Sequence, residues 1–352
     1  MKSKATLALI GCGAVARKGH LPGLKKLSKI VRVKWVVDIN VKRAKSVARR
    51  FKVEKWAKSY DIVLKDPEVD IVVIATPTPT HARIAKECIE SGKNVIIEKP
   101  LTLTVAEALE LRELTKKNNV ACGVVFNYRY FKAVLQAKRS IMRGNLGEVF
   151  FLNSLSETEF PTAWTRSRWL YHRGGVLYDY LPHMIDLACW LLDKVPSHVY
   201  AITKSHTEGE FIDQVSILMS LEDKVNAFFE ASWLTGSYVS SIQIHGTGGI
   251  GVIDIKYNTY AEHYGGPTPV GLTKDLTSKL INTFKGVMTG EIFLGAMSLY
   301  YDFYLDNISK FLRHGEFSIT LEDGLINVAI LEAALKSGET GKEIYIRELL
   351  EV

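Results

Sequence analysis
The chain has 352 residues, 47% hydrophobic and 24% charged, the balance of a globular protein with length for two cores. Its formal net charge is +7, but the basic residues are scattered and no arginine-rich run interleaves with aromatics; this speaks against a nucleic-acid partner and fits a solvated basic surface that favours an anionic cofactor. The sequence has no apolar run long enough for a membrane span, and Cys12, Cys88, Cys122 and Cys189 form neither a C-x-x-C pair nor a zinc spacing, so the expectation is a cytoplasmic protein with buried free thiols and no metal.

The opening "MKSKATLALIGCG" has an apolar run that glycines end too early for a secretory signal, so "ATLALIG" reads as a first strand. A helix follows at roughly 15–29, interrupted by Pro22 and Gly23. The strands "VRVKWVVD", "VDIVVIAT", "NVIIEKP" and "VACGVVFN" then alternate with the helices "VKRAKSVARRF", "THARIAKECIESG" and "TVAEALELRELTKKNN". Strands apolar on both faces, alternating with amphipathic helices, predict an α/β domain over 1–123: a doubly wound parallel sheet covered on both sides.

The pattern changes over 124–352. A helix at 131–143 is followed by longer alternating strands, "EVFFLNSLSE", "HVYAITKSH", "DQVSILMSLE", "VNAFFEASW", "YVSSIQIHGTGG" and "IGVIDI". Alternation predicts an antiparallel or mixed sheet with one face less buried, in an α+β domain. A helix of about 175–192 sits between the first two of these strands. Residues 262–296 are Gly/Pro-rich, then amphipathic, and fit a lid, an oligomer contact or a surface helix equally. Helices at 297–313 and 321–337 and a short strand, "KEIYIR", close the chain.

Residues 11–16, "GCGAVA", stand where the first strand passes into a helix. Gly11 allows a tight turn, Gly13 lets the backbone approach a pyrophosphate, and Ala16 allows close helix packing. The helix N-terminus offers free N–H groups and a positive dipole end, so Gly11, Cys12, Gly13, Ala14 and Val15 form a candidate dinucleotide turn. Asp38 ends the second strand, placed to accept from the adenosine ribose hydroxyls, with Ile39 beside it. That carboxylate would repel a 2′-phosphate and favours NAD; Lys42 and Arg43, a few residues on, leave NADP open.

Two further loops lie at C-terminal strand ends, where doubly wound sheets bind ligands. In "ATPTPTH", Thr76, Pro77, Thr78 and His81 are placed to line the nicotinamide half, although Thr80 could equally cap the next helix. In "EKP", Glu98 and Lys99 follow an apolar strand, and a lysine at a strand end before a proline stands where chemistry happens. Farther on, "GGVLYDYLPHMIDL" sets Asp179 and His183 four residues apart, then Asp186. Locally this fits a catalytic couple, a metal fragment or helix caps.

The motifs "GCGAVA", "VVD", "ATPTPTH", "EKP", "FNYR" and "GGVLYDYLPHMID", in this order, are similar to those of the glucose–fructose oxidoreductase / inositol dehydrogenase / rhizopine-catabolism (Gfo/Idh/MocA) family, and the resemblance spans nearly the whole chain. It implies a Rossmann domain, then a domain with a large, open, mostly antiparallel sheet through which members pair as homodimers or homotetramers. It also implies hydride transfer between NAD(P) and a hydroxyl or ketone of a sugar, inositol or related polyol. Lys99 would sit beside the reacting hydroxyl, with Asp179 and His183 completing the catalytic set. Asn127 would belong to the cofactor site and Arg129 to the substrate, with Arg168 and Trp169 covering either ligand.

The chemistry is consistent with these roles. A neutral imidazole accepts the alcohol proton near neutral pH, Asp179 orients it, and the Lys99 cation stabilises a developing alkoxide. Asp186 remains a helix-capping residue in this reading, and a metal is disfavoured beside a lysine. The alternatives are a cofactor-binding sensor on the same scaffold, and a glycosidase that works by transient oxidation and recycles NAD. The sequence departs from the family's D-x-G-x-H at Leu181, with Pro182 next, so the helix is expected to start near Asp179 or Leu181. Arg173 also stands where small residues are usual, and both changes leave the substrate open.

Overall fold
The computed structural model describes residues 3–160, 174–207, 211–222, 224–264 and 295–351. The chain divides into two units, 1–127 with 296–328, and 128–295 with 329–352. The linear reading placed the boundary after residue 123 and gave the whole tail to the second domain. The return of 296–328 to the first unit has a packing cause within that unit. The helix Tyr300–His314 packs on the helix Leu21–Lys26, and Tyr300 lies so close to Gly19 and Gly23 that a side chain at either position would collide with it.

In the first unit, β1 (Ala5–Ile10), β2 (Val31–Val37), β3 (Lys55–Ala57), β4 (Ile71–Ile74), β5 (Asn94–Ile97) and β6 (Cys122–Val124) form a parallel sheet in the order β3-β2-β1-β4-β5-β6. β4 is buried throughout, as expected of a strand covered on both faces. The order reverses between β1 and β4, and doubly wound sheets bind ligands at such a switch point. β3 was not legible because Lys55, Trp56 and Ala57 carry no buried apolar pattern.

Helix α1 (Leu21–Lys26) is preceded by a wide turn, Ala16–His20, in which the Leu21 N–H reaches back to the Ala16 carbonyl. Such a turn spaces hydrogen bonds five residues apart. Pro22 therefore falls in the first turn of α1, where its missing N–H is tolerated, and the interruption expected at Pro22 is a change of helix type. Between the strands lie α2 (Val41–Phe51), α3 (Asp61–Leu64), α4 (His81–Glu90) and α5 (Val105–Asn118). Asn40 caps α2 through the Arg43 N–H, and Thr104 with Glu107 makes a reciprocal capping box on α5.

The second unit opens with α6 (Lys132–Met142) and β7 (Val149–Glu159), followed by α7 (Val176–Asp179) and α8 (Leu181–Leu192). Then come β8 (Pro196–Lys204), β9 (Gln214–Leu221), β10 (Val225–Ser232), β11 (Leu234–Gly246), β12 (Gly249–Asp254) and β13 (Thr259–His263). With β14 (Ile344–Tyr345) they form a sheet ordered β13-β12-β11-β7-β10-β9-β8-β14, antiparallel except for the β7–β10 pair. The end of β13, Glu262 and His263, enters the stretch from 262 read as a lid, an oligomer contact or a surface helix, and residues 265–294 lie outside the described residues. The closing helices are α9 (Tyr300–His314), α10 (Leu321–Thr340) and α11 (Ile346–Leu350).

Alternation decides the two faces of this sheet. Val199, Ala201, Val215, Ile217, Met219, Ala227 and Phe229 are buried on one side, where α7 and α8 pack. The opposite side carries Tyr200, Ile202 and Leu218, all exposed. Among the described residues no helix is long and apolar enough to cross a membrane.

Candidate functional site
The glycine turn is fixed by its backbone. Gly11 has φ +96°, and a side chain there would strike the Ala75 carbonyl at 2.3 Å, so glycine is required twice over. The Gly11 N–H donates to the Val37 carbonyl, which seats the turn on β2. Gly13, by contrast, has open space where a side chain would stand, and Gly13, Ala14 and Val15 are half-buried at the turn. This open glycine at the start of a helix suits a pyrophosphate. Cys12 points its thiol into the core, where burial pushes the pKa up to about 12, and contributes its N–H to the turn.

That N–H donates to Asp38 Oδ2 at 3.0 Å, while Asp38 Oδ1 accepts from Asn40 N at 2.8 Å. The Arg43 guanidinium lies 3.3 Å from the same carboxylate, drawn onto Asp38. Ile39, next along, is 87% exposed and offers an apolar surface that an adenine would cover. The residues present therefore fit a dinucleotide: open glycine, buried carboxylate and apolar ledge.

The "EKP" loop is held from inside the first unit. Tyr300 Oη donates to Glu98 Oε1 at 2.5 Å, and His20 Nε2 stands 2.9 Å from that oxygen. His20 Nδ1 lies 2.5 Å from Tyr304 Oη, so a neutral ring that donates from Nε2 accepts from Tyr304 at Nδ1. The Lys99 N–H donates to Glu98 Oε2 at 3.2 Å. Burial by itself would raise the Glu98 pKa, but His20, Tyr300 and the charge of Lys99 outweigh it and hold the carboxyl below its ordinary value. The Glu98 side chain thus anchors the loop that precedes Pro100. Lys99 is half-buried at the loop, ahead of the cis bond to Pro100.

His81 also has protein partners. It is buried, with Nδ1 3.0 Å from the Pro100 carbonyl and Nε2 2.9 Å from the Thr76 carbonyl. Burial lowers its pKa, so at neutral pH the ring carries one N–H and donates to one of these two carbonyls, packed between the loops that hold them. Thr80 stands at the N-cap of α4 but its side chain makes no capping hydrogen bond; its hydroxyl lies 2.7 Å from both Thr76 Oγ1 and the Pro77 carbonyl. Thr76 is half-buried, Pro77 exposed and Thr78 buried. Asn127 is buried and its amide donates to the Ala296 carbonyl at 2.9 Å.

In the second unit, Gly175 has φ +46° with the Ile212 carbonyl 1.9 Å from where a side chain would start, so the glycine pair seats α7 against the strand end before β9. α7 ends at Asp179 and α8 begins at Leu181 with Pro182 in its first turn, as the proline predicts. Tyr180 between them keeps helical angles, φ −97° and ψ −43°, and its carbonyl accepts the His183 N–H at 3.2 Å. Asp179 and His183 are therefore four residues apart on near-helical backbone, not on one continuous helix. Asp179 is half-buried and His183 buried.

Arg129 and Asp186 form a buried two-point pair: Nε to Oδ2 at 2.9 Å and Nη2 to Oδ1 at 2.5 Å, with the guanidinium 5.6 Å from the Trp190 ring centre. This corrects one expectation: Asp186 is a mid-helix ion-pair partner and not a cap. Two nitrogens of Arg129 hold that carboxylate. The pair also takes Asp186 out of any metal set with Asp179 and His183. Arg168, Trp169 and Arg173 lie outside the described residues.

Residues 5–126 match the model of the oxidoreductase family with an NAD-binding Rossmann fold, and residues 134–251 match that of the GFO/IDH/MocA C-terminal domain. The chain belongs to the Gfo/Idh/MocA oxidoreductase family. Within that family it is 33% identical to scyllo-inositol 2-dehydrogenase (NAD(+)) of Bacillus subtilis over 195 residues, which is 54% of this chain and 55% of that protein. That match thus spans about half the length of the relative. Myo-inositol 2-dehydrogenase of Thermotoga maritima is 24% identical over 355 residues, covering 98% of this chain and 99% of that one. Among solved structures, levoglucosan dehydrogenase in complex with NADH has a TM-score of 0.81 at 23% identity, covers 97% of this chain and 99% of its own, and shares the fold.

For this Gfo/Idh/MocA member, sequence patterns missed His20, Tyr300 and Tyr304 behind Glu98 and Tyr128 against His183, and gave Asp186, which holds Arg129, a capping role instead. The Arg129–Asp186 pair yields a direct expectation. Asp186→Ala leaves a buried guanidinium without its carboxylate and should lower unfolding stability by about 3–5 kcal/mol in urea titrations. A loss under about 1 kcal/mol would mean the pair is no better than an exposed one.

Proposed function
We propose that this chain transfers a hydride between a nicotinamide and a secondary hydroxyl or ketone of a sugar, inositol or related polyol. The observation that carries the reading is Lys99, held by a buried Glu98 at the C-terminal end of β5 in a unit whose glycine turn suits a pyrophosphate. Bound at Gly11–Val15 and Asp38, NAD supplies the acceptor for the hydride. The chain's own residues manage the proton and the charge. His183 takes the hydroxyl proton, Asp179 orients and supports the imidazolium that results, and the Lys99 ammonium stabilises negative charge developing on oxygen. The named relatives, two inositol dehydrogenases and a levoglucosan dehydrogenase, support a polyhydroxylated substrate.

The deciding experiment is a panel of sugars, inositols, sugar acids and nucleotide sugars, followed by NADH fluorescence. Net NADH formation with a cyclic polyol is expected. NAD binding with no turnover on any member would favour a sensor, and a released sugar with no net NADH would favour glycosidic cleavage.

Cofactor choice rests on Asp38. Its carboxylate repels a 2′-phosphate and occupies Arg43, which supports NAD over NADP. Asp38→Asn keeps an acceptor for the Cys12 N–H but removes the charge. It should weaken NAD about 10- to 100-fold, the worth of a charge-assisted hydrogen bond, and narrow the preference over NADP. A larger loss for NADP would reverse the assignment.

We also propose that the chain is a cytoplasmic homodimer or homotetramer that pairs through the second unit's sheet. Tyr200 and Leu218 face each other across β8 and β9 on the side away from the helices, with Ile202 beside them. A patch of this kind is usually covered. Leu218→Arg should shift the sedimenting species towards monomer, and a wild-type chain that sediments as a monomer would remove the reading.

A further inference from the structure
His183 has a neighbour that no sequence pattern singled out. Its imidazole lies flat on the phenol ring of Tyr128, with ring centres 3.9 Å apart and 5° between the planes. Tyr128 is buried and stands edge-on to Phe131 at 5.1 Å and 81°. Its hydroxyl is hydrogen-bonded to Tyr180, whose own hydroxyl lies 2.8 Å from that of Tyr238. Burial raises the pKa of all three phenols, so each is neutral at the pH of catalysis. Tyr180 is also the residue at the break between α7 and α8, and its carbonyl holds the His183 N–H.

The physical consequence concerns ring orientation. The terminal torsion of a histidine is broad, so an imidazole needs outside help to present one nitrogen in one direction. A flat stack supplies it, because turning the ring out of plane drives it into the phenol. The π face also suits the imidazolium that forms when the base takes a proton. Stacking needs the ring of Tyr128, while its hydroxyl ties that ring to Tyr180.

We propose that Tyr128 is a positioning residue that sets the plane of the His183 imidazole, with Tyr180 holding Tyr128 in place. The proposal rests on His183 as the base, and the test separates the two. In the full-length chain with NAD and a substrate from the panel, kcat and KM are measured for Tyr128→Leu, Tyr128→Phe, Tyr180→Phe and His183→Gln. In parallel, the ring signals of isotopically labelled histidine are recorded, with His183 assigned by its disappearance in His183→Gln.

Tyr128→Leu should lower kcat by about a hundredfold, the cost of a misplaced catalytic group, with little change in KM. The His183 ring protons should move downfield as the shielding of the stacked ring is lost. Tyr128→Phe should restore kcat to within a few-fold and keep the shielded signals, and Tyr180→Phe should fall between. Unmoved His183 signals in Tyr128→Leu, an undiminished kcat, or a Phe variant as impaired as Leu would overturn the proposal. Should Tyr128→Leu fail to fold, the shielded signal and kcat of Tyr128→Phe decide alone. Turnover that survives His183→Gln would remove the base assignment, while the ring signals would still report on the stack.

Discussion
The first unit depends on one buried carboxylate. Glu98 draws together a histidine from the helix behind the glycine turn, a tyrosine from the returning helix α9, and the N–H of Lys99. A carboxylate taken out of water must have such partners, and these hold it charged. The loop that carries the lysine is therefore tied to the Ala16–His20 turn and to α9. This also explains why 296–328 belongs with the Rossmann unit: Tyr300 and Tyr304 complete a network that the first 127 residues leave unfinished.

The second unit follows the same logic with different chemistry. Arg129 and Asp186 tie the first residues of this unit to the middle of α8, and Tyr128 lays its ring on His183 one turn earlier in that helix. The break at Tyr180 belongs to this design. Leu181–Pro182 ends the α7 hydrogen-bond ladder and starts a new one, so the tyrosine at the junction meets Tyr238 with its hydroxyl while its backbone holds His183. A large sheet with a largely buried inner face forms the support beneath both helices.

Much of this was legible in the sequence. The parallel sheet could be read because β1, β4 and β5 are continuous apolar runs, and the glycine turn because its strand-to-helix setting is local. Asp38 follows from the end of a strand and Lys99 from a strand end before proline. The partners were not legible. Glu98 meets Tyr300 across 202 positions, and Arg129 meets Asp186 across 57. Periodicity reports which face of an element is buried, not which distant side chain awaits it there. The protein partners of Glu98, His81 and Arg129 are therefore visible only in the fold. The same limit hid Tyr128, which stands in "FNYR" without a role until its ring is seen against His183.

The central claim is that Lys99 acts on the substrate and not on the fold or the cofactor. The most direct measurement compares Lys99→Ala with the unaltered chain in NAD affinity and in single-turnover formation of NADH from a polyol that the chain oxidises. The account predicts NAD binding within a few-fold of the original and a hydride-transfer rate lowered by about two to three orders of magnitude, the worth of one preorganised stabilising group. An unchanged transfer rate, or a loss of NAD binding large enough to explain the rate, would contradict it.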